Sequence, residues 1–205
     1  MIRILVVDDH FLVRMGLKAT LASEPDMVVV AEAGNAGAAL EAAQNFEVDV
    51  ALIDLRLPGE DGVELTKQLR RLRPQTRVVL ISTWGGDEDI FRALQAGSCG
   101  YVLKSLPRED LLRAIRLTHQ GKRCLPAPVA ERLSARLPGS ELTPRETDVL
   151  RGIVKGLSNR EIGAELSISE GTVKLHVNSL LPKLGVSDRT KAALMALHRG
   201  LVHLD

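Results

Sequence analysis

The strongest constraint on the fold is an alternation that repeats five times within the first 120 residues. Short, continuously apolar runs, typical of strands buried on both faces of a sheet, alternate with segments whose apolar residues recur at helical spacing. The strand candidates span residues 2–7, 27–33, 48–54, 77–82 and 100–103. The helix candidates span residues 11–22, 36–44, 62–71, 88–96 and 108–119. Five βα units with short connections predict an α/β fold, with a parallel five-stranded sheet and helices on both faces. In the first helix, we expect Phe11 and Met15 to join residues 17–21 in a core-facing stripe.

Acidic side chains follow two of these strands where each strand ends. Asp8 and Asp9 come directly after the first strand, and Asp54 ends the third, just before the turn sequence LPGEDG. The carboxyl ends of parallel strands share one edge of the sheet, which is where open α/β sheets bind ligands. Asp54 alone is also compatible with a strand terminus or a helix cap. Three carboxylates together repel one another, so the set predicts a site that a cation or a proton neutralises.

Composition excludes several other classes of protein. Hydrophobic residues make up 45% of the chain and charged residues 26%, which is ordinary for a globular domain. No apolar stretch has the length of a membrane span, and the start lacks the pattern of a signal peptide, so we expect no membrane association and a cytoplasmic location. Cys99 and Cys124 lack the spacing of metal ligands, so we expect reduced thiols and no zinc site.

The distribution of charge and proline predicts two domains with different partners. Residues 1–120 carry 14 basic and 17 acidic side chains, a net charge of −3, whereas residues 121–141 and 142–205 each carry +2. Residues 121–141 also contain three prolines and two glycines, which is typical of a linker. An acidic first part joined to a basic last part is compatible with nucleic-acid binding by the second.

Beyond residue 141 the strand signals vanish and four helix starts follow. Thr143 and Glu146 form a capping-box pattern, and Asn159, Ser169 and Asp188 are candidate caps for the next three helices. The helices are expected to extend to about residues 155, 166, 184 and 199. Residues 142–205 therefore predict a small all-α domain of four helices.

Both halves resemble a known family. Asp8, Asp9, Asp54 with its LPGEDG turn, and the later Ser82, Tyr101 and Lys104 resemble the receiver domain of two-component response regulators, while residues 142–190 resemble the LuxR-type helix-turn-helix domain. Together they are similar to the NarL/FixJ subfamily. The resemblance implies a flavodoxin-like (βα)5 receiver over residues 1–120, a linker over 121–141 and a helix-turn-helix domain over 142–205. It also implies a transcriptional regulator that binds double-stranded DNA and is controlled by Mg²⁺-dependent phosphorylation of Asp54 by a sensor histidine kinase.

The resemblance also assigns roles at the acidic site. Asp9 and Asp54 are expected to bind Mg²⁺ directly, Asp8 directly or through water, and Arg56 through its backbone carbonyl, which suits an ion that prefers oxygen ligands. Asp54 is the expected nucleophile and phosphoacceptor. The chain is not expected to be an enzyme beyond phosphoryl transfer to its own Asp54 and its autodephosphorylation.

Three further residues complete the expected receiver site. Lys104 is expected to offset charge on the transferring phosphoryl group. By the same resemblance, Ser82 is expected to be the hydroxyl that moves to hydrogen-bond the new phosphate, and Tyr101 the aromatic residue that follows it inward.

In the second domain the resemblance makes residues 169–184 the recognition helix. The groove-facing positions are Lys174, Leu175 and Asn178, while Thr172 and His176 are placed to meet phosphates. Asn178 replaces a lysine often seen there, which favours adenine recognition with less electrostatic affinity. In the last helix Leu194, Leu197 and Leu201 form an apolar stripe. The resemblance implies a homodimer through this helix when the chain is phosphorylated or bound to DNA, with a solely core-packing role as the alternative.

Two departures from the family pattern affect these expectations. Thr83 and Trp84 stand where small or polar residues are common in the family, and with Arg56 they suggest a slowly hydrolysing phosphoryl form. The hypothesis fails if Trp84→Ala leaves autodephosphorylation unchanged or slows it. The alternative is that Trp84 only packs on the following helix. Pro182 is expected to shorten or kink the recognition helix, because proline removes a helical hydrogen bond.

Two other functions remain open from the residues. A phosphotransferase or phosphatase also uses an Asp nucleophile with Mg²⁺, but the second acid expected two residues after Asp54 is replaced by Arg56. A DNA-binding protein whose receiver works without phosphate is the third hypothesis, and the intact acid set argues against it.

Overall fold

The computed structural model describes residues 1–83, 86–125 and 142–202, which form parts of two compact units. Trp84 and most of the predicted linker, residues 126–141, lie outside the described residues. The strands of the first unit are β1 (Ile2–Val7), β2 (Met27–Ala33), β3 (Val50–Asp54), β4 (Arg56–Leu57), β5 (Glu60–Asp61), β6 (Arg77–Ser82) and β7 (Gly100–Leu103). Its helices are α1 (Phe11–Ala22), α2 (Ala36–Asn45), α3 (Gly62–Leu72), α4 (Asp87–Gln95) and α5 (Arg108–His119).

The five long strands form one sheet in the order β2-β1-β3-β6-β7, and every neighbouring pair is parallel. The predicted parallel five-stranded fold is therefore confirmed. Val7 is paired with Ile53 and Ser82 with Leu103, so β1 ends level with β3, and β6 with β7. This register brings the residues that follow several strands to one edge of the sheet.

The segment predicted as a plain turn after β3 forms a small hairpin. Arg56 pairs with Asp61 and Leu57 with Glu60 in an antiparallel arrangement. Gly59 turns the chain with a φ of 77°, a conformation that glycine adopts without steric cost. The hairpin leads directly into α3, whose N-terminal cap is Asp61.

Helix α1 buries a different face from the one predicted. Phe11 is 63% exposed and Met15 is 51% exposed, whereas Leu21 is buried and Leu17 packs against the core. The expectation that Phe11 and Met15 face the core was wrong. At 100° per residue, Leu17 and Leu21 share a face, and Phe11 and Met15 lie well to one side of it.

The chain continues beside β7 beyond α5. The Cys124 N–H donates to the Cys99 carbonyl (3.0 Å), and the Tyr101 N–H donates to the Cys124 carbonyl (3.1 Å). Cys124 thus extends the edge of the sheet, although the sequence places it in the linker. Both cysteines are free thiols.

The second unit is helical in its described part. Its helices are α6 (Pro144–Val154), α7 (Asn159–Leu166), α8 (Glu170–Leu184) and α9 (Arg189–Arg199). They enclose one apolar core, to which each helix contributes. Within residues 1–83, 86–125 and 142–202, no helix has the length and apolar character needed to cross a membrane.

The caps of these helices follow the sequence at three of four positions. Thr143, Ser169 and Asp188 accept hydrogen bonds from backbone N–H groups as predicted. At α7 the cap is Ser158 instead of Asn159, because Ser158 forms a capping box with Glu161.

The turn between α7 and α8 depends on close backbone packing. A Cβ atom at Gly163 would lie 2.7 Å from the Ile168 carbonyl oxygen, so only glycine allows this approach. Ser167, the C-terminal cap residue that follows α7, adopts a φ of 54°.

Helix α8 continues through Pro182 to Leu184 and ends at Gly185, which has a φ of 70°. The expected early end does not occur. Proline removes the N–H that would donate to the carbonyl four residues earlier, and its ring crowds that carbonyl, but Pro182 stands only two residues before the last residue of the helix. The Gly185 N–H still donates to the Pro182 carbonyl (3.0 Å), which closes the last turn.

Candidate functional site

Three carboxylates converge at the carboxyl edge of the sheet. Asp8 and Asp9 follow β1, and Asp54 is the last residue of β3. Asp8 and Asp54 are 1% and 3% exposed, whereas Asp9 is half-buried. One oxygen from each carboxylate and a ring nitrogen of His10 all lie within 4.8 Å of one another. The convergence predicted from the strand ends is therefore present.

Lys104 is the cation that the structure places among these acids. Its Nζ lies 2.7 Å from Asp8 Oδ2 and 2.7 Å from Asp54 Oδ2. The Lys104 N–H donates to the Ser82 carbonyl (2.7 Å), which holds the start of the β7–α5 loop against β6. A single lysine thus pairs with both buried carboxylates.

The pKa values of this pair reflect burial and charge together. Burial raises the pKa of Asp54, and the negative charge of Asp8 raises it further. The ion pair with Lys104 lowers it, but the pKa of Asp54 stays above its usual value. Burial works to lower the pKa of Lys104, but its hydrogen bonds to Asp54 and Asp8 outweigh burial and raise it. Lys104 therefore remains charged, and one positive charge faces three carboxylates.

This donor set fits a divalent metal ion. Oxygen atoms of carboxylates are the ligands that hard divalent cations prefer. Lys104 pairs with the Oδ2 atoms of Asp8 and Asp54, whereas the Oδ1 atom of each accepts one backbone N–H and keeps a further lone pair for a cation. The excess negative charge and the available oxygens make the cluster suited to hold a cation.

The hairpin after β3 and the start of α3 are packed tightly against Asp54. A Cβ atom at Gly62 would lie 2.2 Å from the Asp54 carbonyl oxygen, so this position requires glycine. The Arg56 N–H donates to Asp54 Oδ1 (3.3 Å), while the Arg56 side chain is exposed. The sequence identified Gly62 only as a turn residue. The expected role of the Arg56 carbonyl stays a prediction.

Ser82 and Tyr101 both lie in the buried part of the site region. Ser82 ends β6 and Tyr101 lies in β7, and both side chains are buried. The Tyr101 ring is fully enclosed, so it already occupies an inward position. Their proposed switching roles stay predictions.

Two residues near the acids were missed by sequence reasoning. Arg14 donates from one guanidinium nitrogen to the carbonyls of Asp8 (2.6 Å) and Asp9 (3.2 Å), which anchors the loop that carries both acids. The His10 N–H donates to Asp8 Oδ1 (2.8 Å), and its ring Nδ1 lies 2.8 Å from Asp9 Oδ1. The available signal was proximity, since His10 follows Asp9 directly and Arg14 stands one helical turn later.

Helix α8 carries all five residues that are predicted to contact DNA, three of them exposed and two half-buried. The side chains of Lys174, Leu175 and Asn178 are exposed, and His176 is half-buried. Thr172 is also half-buried, and its hydroxyl lies 2.8 Å from Ser169 Oγ at the start of the helix. The opposite face is part of the core through Val173, Leu180 and Leu184.

Glu146 links the first helix of the second unit to α8. Its buried carboxylate accepts hydrogen bonds from Ser179 Oγ (2.7 Å), Lys183 Nζ (2.7 Å) and the Thr143 N–H (2.7 Å). Burial acts to raise the pKa of Glu146, but these bonds outweigh it and lower the pKa to about 2. The sequence predicted only its capping role, because Ser179 and Lys183 are more than 30 residues away.

These two units define a signalling regulator, with an acid-edged α/β unit followed by a helix-turn-helix unit. Residues 4–116 match the family described as the response regulator receiver domain, and residues 140–196 match the bacterial regulatory proteins of the luxR family. The chain belongs to the response regulators that combine these two domains, and it is a DNA-binding transcriptional regulator of a two-component system.

Similar proteins extend over nearly the whole chain. The transcriptional regulatory protein LiaR of Bacillus subtilis strain 168 is 38% identical over 99% of this chain and 100% of its own. The nitrate/nitrite response regulator NarL of Escherichia coli K12 is 37% identical over 93% of each chain. Among solved structures, the RcsB–DNA complex has a TM-score of 0.72 at 26% identity, covering 96% of this chain and 98% of that one. The response regulator ChrA of a heme-sensing two-component system has a TM-score of 0.55 at 37% identity and 98% coverage of both chains.

Proposed function

We propose that Asp54 accepts a phosphoryl group from a sensor histidine kinase and that this event controls DNA binding by the second unit. The observation that carries the proposal is the buried Asp54 carboxylate, paired with Lys104 at a sheet edge where Asp8 and Asp9 add two more carboxylates. Mg²⁺ is the proposed cation, held by Asp8, Asp9 and Asp54 with the backbone carbonyl of Arg56.

The transfer requires a nucleophile and stabilisation of negative charge. An Asp54 carboxylate oxygen attacks phosphorus, the P–O bond forms as the P–N bond to the kinase histidine breaks, and the imidazole leaves with the electron pair. When bound, Mg²⁺ neutralises charge on the phosphoryl oxygens. The Lys104 ammonium, already 2.7 Å from Asp54 Oδ2, can move to a phosphoryl oxygen as the charge shifts.

The signal is proposed to leave the site through Ser82 and Tyr101. The Ser82 hydroxyl donates a hydrogen bond to the new phosphate. Tyr101 is already enclosed beside β6, so it is placed to stabilise the new position of the Ser82 side chain from the inside. Phosphorylation thus acts as a local charge change that biases a surface with two arrangements. The chain acts on its own Asp54 and turns over no external substrate.

At the output end, α8 is proposed to enter the major groove of DNA. The exposed Lys174, Leu175 and Asn178 face the bases, while Thr172 and His176 contact phosphates. A DNA complex of the similar protein RcsB supports this use of the second unit. Action on DNA also supports the cytoplasmic location that we expected from the sequence.

The phosphoryl switch is tested by a DNA-binding titration with Mg²⁺ and acetyl phosphate as the donor. The wild-type chain is expected to bind its operator about tenfold more tightly with the donor than without it, within the range typical of coupled sites. Asp54→Asn is expected to show one curve in both conditions. Asp110→Asn, which changes an acid that pairs with Arg113 on α5 and is not part of the carboxylate cluster, is the matched control and should respond like wild type. If Asp54→Asn bound DNA more tightly with the donor, as the wild-type chain is expected to do, the proposal would be contradicted.

We also propose that the chain dimerises on DNA through α9. Leu194 is 64% exposed and Leu197 is also exposed, so both are available for a partner. Leu201 packs against the core of its own unit and contributes less to the contact than the sequence suggested.

The dimer is tested with Leu194→Glu, which places a charge on the proposed contact without disturbing the core. Affinity for DNA carrying two half-sites is expected to fall about tenfold, because a buried unpaired charge opposes association. Affinity for a duplex with one half-site should not change, and this duplex is the internal control. Fluorescence anisotropy measures both affinities, and sedimentation velocity measures the self-association. Equal affinity of wild type and Leu194→Glu for the duplex with two half-sites, or unchanged self-association of the variant, would contradict the dimer.

A further inference from the structure

We infer that His10 is a metal-facing residue that shifts the preference of the acidic site toward divalent transition ions such as Mn²⁺. The inference rests on the proposed cation site at Asp8, Asp9 and Asp54 and deepens it. The inference concerns which metal ion the site prefers. An imidazole nitrogen is a type of ligand that three carboxylates do not supply, and metal ions differ in how well they bind it.

The position of the imidazole carries the inference. His10 Nδ1 lies 2.8 Å from Asp9 Oδ1 and 3.4 Å from Asp8 Oδ1. Neighbouring ligands around a metal ion with bonds of about 2.1 Å are separated by about 3 Å, so both spacings suit ligands of one ion. The four candidate ligand atoms lie within 4.8 Å of one another, near the span of about 4.2 Å expected for one octahedral shell.

The ring lies on the side of the cluster that Lys104 leaves available. Lys104 pairs with the Oδ2 atoms of Asp8 and Asp54. His10 approaches the Oδ1 atom of Asp8 and the Oδ1 atom of Asp9. The lysine and the imidazole therefore use different carboxylate oxygens, and both can be present when a cation is bound.

The local backbone holds His10 in this place. The His10 N–H donates to Asp8 Oδ1 (2.8 Å), which fixes the residue at the start of α1. His10 is the N-terminal cap residue of that helix, yet its side chain makes no capping hydrogen bond. The imidazole is therefore not required by the helix. Its side chain is 69% exposed, so an incoming ion can reach it from solvent.

The chemical consequence follows from ligand softness. Mg²⁺ takes oxygen ligands and gains little from imidazole, whereas divalent transition ions bind imidazole well. Ligation requires the lone pair of Nδ1, so the proton of the neutral ring must reside on Nε2. Without a metal, the same nitrogen can carry the proton and donate to Asp9. The alternative role is therefore a hydrogen-bond donor that only orients Asp9.

The decisive variant is His10→Asn in the full-length chain. The Asn side chain can place an amide donor near the position of Nδ1, so it retains a hydrogen bond to Asp9 but offers no imidazole ligand. Mn²⁺ affinity is measured from the EPR signal of the free ion, and Mg²⁺ affinity by calorimetry. We expect Mn²⁺ to bind about tenfold more weakly and Mg²⁺ to stay within about twofold of wild type. His198→Asn, at an exposed position on α9, is the matched control.

A second measurement detects ligation directly. Electron spin echo modulation of bound Mn²⁺ should show coupling to a nitrogen nucleus in protein labelled with ¹⁵N-histidine, and His10→Asn should remove it. Absence of this coupling in wild type, or equal losses of Mn²⁺ and Mg²⁺ affinity in the variant, would overturn the inference while leaving the cation site intact. Failure of the wild-type chain to bind either ion, with Asp54→Asn giving the same result, would instead overturn the cation site itself.

Discussion

Replacement of Lys104 by methionine is expected to destabilise the first unit by on the order of 3 kcal/mol at pH 8. The buried carboxylates of Asp8 and Asp54 would then lose their common cation, and removing one partner of a buried ion pair typically costs this amount. The same variant should lose the DNA-binding response to acetyl phosphate. Denaturant titration, read out by hydrogen exchange of peptides from residues 1–83 and 86–125, measures the stability change.

The pH dependence of this variant has a definite sign. Burial already raises the pKa of Asp54 in the wild-type chain, and loss of Lys104 removes the interaction that opposes the rise. A group whose pKa is raised by folding stabilises the fold more as the pH falls. The deficit of Lys104→Met should therefore shrink as the pH falls from 8, and Mg²⁺ should reduce it further at pH 8.

Two controls separate the buried pair from general charge effects. Lys18→Met removes an exposed lysine that pairs with Glu32 at the surface, and it should change stability little. Adding Asp8→Asn to Lys104→Met removes one of the two buried charges, so the double variant should be more stable than the single variant. If Lys104→Met were as stable as wild type at pH 8, the buried carboxylates would not need the lysine.

Replacement of Glu146 by alanine is expected to destabilise the second unit by on the order of 3 kcal/mol at neutral pH. The change breaks a buried ion pair with Lys183 and leaves Ser179 and the Thr143 N–H without their acceptor. Because Ser179 and Lys183 lie on α8, DNA affinity should also fall. Hydrogen exchange of peptides from residues 142–202 in the full-length chain locates the effect.

The pH profile identifies the carboxylate as the cause. The pKa of Glu146 is about 2 in the folded chain and close to its ordinary value of 4.5 when unfolded. A lowered pKa stabilises the fold above the unfolded value, and this stability is lost as the pH falls from about 4.5 toward 2. The difference between wild type and Glu146→Ala should therefore be full above pH 5 and shrink below pH 4.5.

The chain supplies a closely matched control for this prediction. Glu161 occupies the same capping-box position at the start of α7, where it bonds only with Ser158 and is exposed. Glu161→Ala removes a cap without breaking a link between helices, so its effect should be much smaller. Similar losses for Glu146→Ala and Glu161→Ala would mean that the link to α8 contributes little.

Much of the fold could be predicted because the strong signals are local. A continuous apolar run such as 50–53 is compatible with few environments besides a doubly buried strand, and Thr143 with Glu146 marks a helix start through contacts three residues apart. These signals depend on neighbours in sequence, so element types were predicted well. The face that α1 buries was not, since Phe11 and Met15 are apolar but lie away from the packed face.

The acidic site was predicted in part for the same reason. Asp8, Asp9 and Asp54 were brought together by a rule on parallel strand ends, whereas the pairing of Lys104 with both carboxylates required the position of the β7–α5 loop. Gly62 could not be distinguished from an ordinary turn glycine, because its constraint is the Asp54 carbonyl eight residues earlier.

The sequence by itself determined the βα alternation, the acidic strand ends and the capped helices of the second unit, because each depends on residues a few positions apart. Only the tertiary structure decided how charge is distributed within each unit. It placed one lysine between two buried acids, turned the His10 ring toward the oxygens that the lysine leaves available, and joined Glu146 to Lys183. The physical reason is that burial and distance set the strength of these interactions, and both arise only when segments far apart in the chain pack together.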